Sequence, residues 1–216
     1  GRRGMAPHSG VAIAFLPPEP GRAEVLAGGT DLVPLLEKMV VKPSRVVSIA
    51  GIASLKTIRR DETNGEVFFG ASLTLDELLK HEAMSDYPAV RQAIDGINSP
   101  QLQSQGTLGG EICRRPTCWY FRTGHGLLAD RGSKIDEGDN RYHAILGNGG
   151  AAKFVHASRI APALVALGAT LRIIGPRTDE EKYVAAGDFF RTPRSDSDRE
   201  NILLPGELVS HIVLPR

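Results

Sequence analysis

VLAGGTDL, residues 25–32, is the stretch on which the reading of this chain turns. A short apolar strand runs into Gly28-Gly29, then a threonine, an aspartate and a helix-forming run. Consecutive glycines leave backbone N–H groups unobstructed and permit positive φ, so such a loop can wrap an anion. A helix that begins directly afterwards adds its own orphan N–H groups to the attraction. QGTLGGE, residues 105–111, repeats the device further along the chain. One such loop on its own is a strand-to-helix turn; two of them read as the jaws of one site. Neither is followed by Gly-Lys-Ser/Thr and neither fits G-x-G-x-x-G, so a Walker-type or nicotinamide Rossmann site is not indicated.

Around these loops the pattern alternates between strand and helix signals. Residues 24–27 read as a strand and Leu32 to Met39 as a helix capped by Thr30 or Asp31. RVVSI (45–49) is β-branched and bounded by Pro43 and Gly51. TIRRDETNGEVFFG reads as a hairpin turning at Asn64-Gly65, and Thr74 to Glu77 is a capping box that opens a helix. YPAVRQAIDGI places Val90, Ala93, Ile94 and Ile97 on one helical face. Beyond Asn98 the texture becomes polar and Gly-rich, above all from Thr123 to Asn140. YHAILG, KFVHA, TLRIIG and LVSHIVL are strand candidates there, and Ile160 to Leu167 a helix. The fold class expected is α+β with two α/β subdomains, residues 23–97 and 98–216, preceded by an irregular segment 1–22 with one short helix at Val11 to Leu16.

Composition narrows the function classes. Among 216 residues, 26 Lys plus Arg balance 25 Asp plus Glu for a net charge of +1, which gives no electrostatic case for nucleic acid. The longest apolar stretch, Ala161 to Gly175, is too short to span a bilayer and contains Arg172, and no secretory signal opens the chain. No membrane insertion and a cytoplasmic location are expected.

Taken together, AGGTDL and TLGG resemble the FAD-binding medium subunits or domains of the molybdenum hydroxylases, which include xanthine dehydrogenase, carbon monoxide dehydrogenase and aldehyde oxidoreductases. The resemblance continues in order through FGASLT (69–74), CRRPTCWYFR, NRYHAILG, APALVALGA and LLPGELV, covering roughly residues 10 to 216. It implies the PCMH-type FAD-binding fold with FAD in the cleft between the two subdomains. It also implies an electron-transfer component that receives electrons from an iron–sulfur subunit and a molybdenum-cofactor subunit, inactive on substrate alone. The implied cofactor contacts are Leu26, Ala27, Gly28, Gly29, Thr30, Asp31 and Leu32 from the first loop. Around the second loop they are Ile97, Gly106, Thr107, Leu108, Gly109, Gly110 and Glu111, with Ser158, Arg159 and Leu204 further on. Gly28, Gly29, Gly109 and Gly110 are expected to meet the pyrophosphate through backbone N–H groups. No catalytic nucleophile or triad is expected, because the cofactor carries the chemistry.

The chain departs from the family pattern at several points. The family's opening strand is expected to be missing, and relatives continue past LPGELV into a C-terminal flavoprotein domain where this sequence stops at Arg216. LVSHIVL is therefore expected to be incompletely covered in isolation. Glu111 replaces Asn or Ser beside the implied diphosphate, where a carboxylate is repulsive unless Arg114 or Arg115 relieves it or its side chain turns away. Arg159 stands where relatives carry an Asp that contacts the flavin ring. These departures carry the alternative reading, a degenerate relative without flavin that serves as a scaffold subunit.

The C-x4-C spacing of Cys113 and Cys118 is similar to that of family members whose medium subunit holds a four-iron cluster. Such a cluster needs four thiolates and the sequence has two cysteines, so both are read as reduced structural thiols and no metal site is expected. Trp119-Tyr120-Phe121 reads as packing.

Overall fold

The computed structural model describes residues 4–5, 9–17, 19–129, 135–177 and 179–216. Along the chain run β1 (Gly4–Met5), α1 (Ser9–Ala14), β2 (Ala23–Leu26), α2 (Leu32–Glu37), β3 (Arg45–Ser48), β4 (Ile58–Arg60) and β5 (Val67–Gly70). Helices α3 (Leu75–Lys80), α4 (Pro88–Asp95), α5 (Pro100–Gln105), α6 (Leu108–Ile112), α7 (Trp119–Arg122) and α8 (Ala161–Ala166) follow. The chain closes with β6 (Thr170–Ile174), β7 (Glu181–Ala185), α9 (Ala186–Phe189) and β8 (Leu208–Leu214). No helix among the described residues is long and apolar enough to cross a membrane.

Two sheets result. β1, β3 and β2 form a parallel three-stranded sheet in that order, so a two-residue strand does precede α1, contrary to the expectation of a missing opening strand. Its parallel β2–β3 pair is joined through α2, the crossover that parallel strands require. The second sheet has five antiparallel strands in the order β4-β5-β8-β6-β7. The α+β class read from the sequence is the class observed. The expected division at 97/98 does not coincide with a sheet boundary, because β4 and β5 lie before it and pair into the sheet completed by β6, β7 and β8. The change of texture at Asn98 marks the start of loop-rich chain rather than a new core.

Local rules account for several elements. The Thr74 hydroxyl accepts from Glu77 N–H at 3.1 Å and the Glu77 carboxylate accepts from Thr74 N–H at 2.7 Å, so both arms of the capping box form. Gly65 takes φ 77° in the β4–β5 hairpin. β8, expected to be partly uncovered, is instead the central strand of its sheet, with all seven residues buried between β5 and β6.

YHAILG and KFVHA are not strands. Tyr142, Ile145 and Leu146 are 76%, 89% and 88% exposed, and β-prone residues with no sheet to join do not extend into a ladder. The two segments meet at one bond, from Ala144 N–H to the Lys153 carbonyl at 2.7 Å. Residues 130–134 of the Thr123–Asn140 stretch lie outside the described residues.

The apolar side chains gather into three clusters. The largest packs α3, α4 and α8 on the five-stranded sheet. A second joins Ala12, Ile13, Val47 and Ile49 to Ile174 and Leu208. A third holds Leu35, Cys118, Phe121 and Leu127.

Candidate cofactor site

A cavity of about 670 Å³ opens where the three clusters meet. Its wall takes Val25 from β2 and Ile49 from just after β3, Val209 from β8 and Ala71 from just after β5, and Leu35, Phe121 and Leu127 from the third cluster. That size and mixture of apolar wall with a few polar groups is the ordinary character of a small-molecule or cofactor site.

Both glycine loops reach it. Ala27, Gly28, Gly29, Thr30, Asp31 and Leu32 line the cavity, as do Thr107, Gly109, Gly110 and Leu204. The loops also touch each other: a Cβ on Gly28 would fall inside the radius of the Gln105 carbonyl oxygen, so close backbone approach requires glycine there. Gly29 is required for a different reason, its φ of 77°.

The two loops differ in their donors. Among the described residues, the backbone N–H groups of Gly28, Gly29, Thr30 and Asp31 donate to no other residue. In the second loop Leu108 N–H goes to the Leu73 carbonyl at 2.9 Å and Gly109 N–H to the Ala71 carbonyl at 2.8 Å. Gly110 N–H goes to the Thr107 hydroxyl at 3.1 Å. A backbone N–H has one proton to give, so the donors expected at Gly109 and Gly110 are both committed, the first to holding α6 against the turn after β5 and the second to the Thr107 cap of α6 itself. The row of unshared donors is on the first loop alone.

Other expected contacts lie elsewhere. Leu26 ends β2 and its carbonyl accepts from Ile49 N–H at 3.0 Å. Ile97 and Leu108 are in the main core, and the Gly106 carbonyl accepts from Leu75 N–H at 3.0 Å. Glu111 turns away from the cavity and is buried, where its carboxylate accepts from Arg159 N–H at 3.1 Å and pairs with Arg114 at 3.5 Å. That rotamer removes the expected repulsion, and burial pushes the Glu111 carboxyl above its ordinary range despite Arg114. The Ser158 hydroxyl accepts from Ala161 N–H at 3.1 Å at the start of α8, and the Arg159 guanidinium donates to the Gly96 carbonyl. Neither side chain is on the cavity wall.

A network of ion pairs that the sequence reading missed surrounds the site. Asp31, expected as a helix cap, makes no capping bond. Its carboxylate accepts from Arg115 N–H at 2.8 Å and from the Arg122 guanidinium at 2.6 Å. Arg122 also donates to the carbonyls of Pro116 and Arg115, bracing the turn that follows α6. Glu24 pairs with Arg199, and Arg115 faces Glu200 at 3.2 Å. The sequence signal for this network was the charge-rich CRRP and SDRENI segments beside two glycine loops, but partners that far apart in the chain carry no spacing rule.

The two cysteines fall in different environments. Cys113 lines the cavity, and burial pushes its thiol up to about 12, so it stays protonated rather than acting as a thiolate. Cys118 is buried in the third cluster, 3.1 Å from His143 Nε2. Among the described residues no group of three or more His, Cys, Asp or Glu is placed to hold a metal ion. Trp119 packs edge-on to Tyr142 and His143, while Phe121 is on the cavity wall.

The family model described as "FAD binding domain in molybdopterin dehydrogenase" matches residues 11–216. The chain is 30% identical over 198 residues to the aldehyde oxidoreductase FAD-binding subunit PaoB of Escherichia coli K12, covering 89% of this chain and 61% of that protein. It is 32% identical over 109 residues to the carbon monoxide dehydrogenase medium chain of Hydrogenophaga pseudoflava, covering 50% of this chain and 37% of the relative. Among solved structures, carbon monoxide dehydrogenase from H. pseudoflava superposes with a TM-score of 0.67 at 22% identity, over 99% of this chain and 59% of that one. Quinoline 2-oxidoreductase from Pseudomonas putida 86 gives 0.67 at 19%, over 98% and 57%. The structural matches establish the shared fold, and the chain spans about three-fifths of the length of the PaoB relative.

Proposed function

The chain belongs to the family of FAD-binding domains in molybdopterin dehydrogenases, and from that premise we propose that it is the electron-transferring flavin component of a molybdenum hydroxylase-type oxidoreductase. In this reading an iron–sulfur subunit and a molybdenum-cofactor subunit deliver electrons to it, and it passes them to an acceptor. The observation that carries the reading is the unshared N–H row of Gly28 to Asp31 on the wall of a 670 Å³ cavity.

The residues present fit FAD. The N–H row and the Arg115 guanidinium on the cavity wall suit the negative diphosphate, and apolar Leu35, Phe121, Leu127 and Val209 suit a flat, uncharged ring system. FAD bound there supplies the redox chemistry, accepting electrons one or two at a time and releasing them to an acceptor. The chain's own task is placement. Gly28 and Gly29 present the donors, Asp31 holds Arg115 in register with them, and the apolar wall keeps water from the bound group. Cys113, as a protonated thiol, offers the cavity neither charge nor nucleophile. The inward repulsion that would favour a flavin-free scaffold does not arise, because Glu111 is turned into the protein.

The test is turnover. The purified 216-residue chain loaded with FAD should not oxidise an aldehyde or a purine. Reconstitution with iron–sulfur and molybdenum subunits should restore substrate-dependent bleaching of its flavin absorbance. Flavin reduction by substrate without those subunits would refute the component role.

A further inference from the structure

Among the charged pairs around the cavity, Arg115–Glu200 stands apart. Arg115 is on the cavity wall with a side chain 12% exposed, and Glu200 is 3% exposed behind it. Their charged atoms approach to 3.2 Å, yet neither Arg115 Nε nor either Glu200 oxygen has an aligned hydrogen-bond partner among the described residues. The neighbouring pairs, Asp31–Arg122 and Glu24–Arg199, are hydrogen-bonded. Taking two charges out of water is offset only when the geometry is good and the remaining donors and acceptors are satisfied. Arg115–Glu200 has the proximity without the bonds, and while Nε is buried against Glu200, the two terminal guanidinium nitrogens donate to no residue among those described, so the cation retains donors for another acceptor.

The position of those donors is fixed from three sides. Asp31 ties the Arg115 backbone to the loop whose N–H groups are unshared. The Phe121 ring lies 5.0 Å under the guanidinium, and Glu200 balances its charge. Of the other cations on the wall, Arg199 is bonded to Glu24 and Arg191 pairs with Asp198 at 3.4 Å, while Lys42 is exposed. A planar guanidinium beside a nest of N–H groups matches the paired oxygens of a diphosphate better than an isolated ammonium does.

We propose that Arg115, countered by Glu200, is the residue by which this cavity distinguishes a diphosphate-bearing dinucleotide from an uncharged flavin. The proposal rests on the reading that the cavity holds FAD. Arg115 binds the diphosphate together with the first glycine loop, and Glu200 holds the guanidinium in place when no diphosphate is present.

The experiment titrates the full chain with FAD and, separately, with riboflavin, which has the ring and no phosphate, following flavin fluorescence. Arg115→Gln should raise the Kd for FAD by about tenfold or more, the loss expected for one charge-assisted hydrogen bond, and change that for riboflavin by less than about twofold. Arg115→Lys should fall between wild type and Arg115→Gln. Glu200→Gln, which removes the competing counter-charge, should bind FAD at least as tightly as wild type. Equal effects of Arg115→Gln on both ligands, no effect on either, or selective weakening of FAD by Glu200→Gln would overturn the proposal. Should Arg115→Gln fail to fold by circular dichroism, the wild-type salt dependence decides. Added salt must weaken FAD and leave riboflavin unmoved, and parallel behaviour of the two ligands refutes the assignment. A wild-type chain that binds neither ligand refutes the cofactor reading itself.

Discussion

Asp31 in the first glycine loop accepts the backbone N–H of Arg115, 84 positions further along the chain, at 2.8 Å, and with its other oxygen holds the Arg122 guanidinium at 2.6 Å. One carboxylate thus fixes the distance between the loop with free donors and the segment that carries Arg115 on the cavity wall.

Asp31→Ala should therefore act on stability and binding together. Both side chains of the Asp31–Arg122 pair are 19% exposed, intermediate between a surface and a buried ion pair. The expected loss is about 2 kcal/mol in urea unfolding, between the near-zero value of exposed pairs and the larger one of buried pairs. FAD affinity should fall as well, because Arg115 loses its register. Unchanged stability and unchanged affinity would show that the network is incidental.

The adjacent glycines should respond differently to the same substitution. Gly28→Ala places a methyl against the Gln105 backbone, which has no rotamer to give, and should cost about 3 kcal/mol or more. Gly29→Ala meets only the side-chain ends of Val33 and Leu26, at 3.2 and 3.4 Å, and carries the left-handed penalty of about 1–2 kcal/mol. Gly29→Val should go further and remove FAD while the fold persists, since a β-branched residue disfavours positive φ and crowds the nest. Chemical denaturation of the two alanine variants orders them, and the reverse order would contradict the loop-contact account. Normal flavin content in Gly29→Val would reduce the first loop to a turn.

His211 gives the fold a pH dependence of predictable sign. It sits in β8 beside Thr57, Ser210 and Arg172, and burial, helped by Arg172 and Arg59, lowers its pKa to about 4. The unfolded chain, with an ordinary histidine near 6.5, binds a proton that the folded chain refuses between those values. Stability therefore falls as the pH drops from about 6.5 to about 4 and is flat with respect to this group above that window. The raised carboxyls Glu111 and Glu200 act in the opposite direction, so the comparison with His211→Gln isolates the histidine. Relative to that variant, wild type should lose about 3 kcal/mol across the window, the free-energy equivalent of a pKa lowered from 6.5 to about 4. Parallel curves for the two proteins would contradict the assignment.

What the sequence made legible was local. The capping box at Thr74, the hairpin at Asn64-Gly65 and the helix at Ala161–Ala166 each depend on residues within a few positions of one another. The glycine loops stand out in the sequence for the same reason, and both reach one cavity. The failures were questions of partnership. YHAILG has strand-forming residues but no edge to pair with, whereas LVSHIVL looks like a terminal edge and is central, because β5 and β6 arrive from distant parts of the chain. The donors of Gly109 and Gly110 were expected to be free; a tertiary contact with Ala71 spends the first, and the local Thr107 cap of α6, three residues away, spends the second. Asp31 reads as a helix cap from its neighbours and is a cross-cavity clamp in the fold.

The central claim is that FAD occupies this cavity against the first glycine loop, and amide hydrogen exchange on the chain with and without FAD tests it most directly. Gly28, Gly29, Thr30 and Asp31 should exchange quickly without ligand and become protected when FAD binds, while Gly109 and Gly110, already bonded, should be slow in both states. FAD binding that leaves residues 28–31 unprotected would contradict the account.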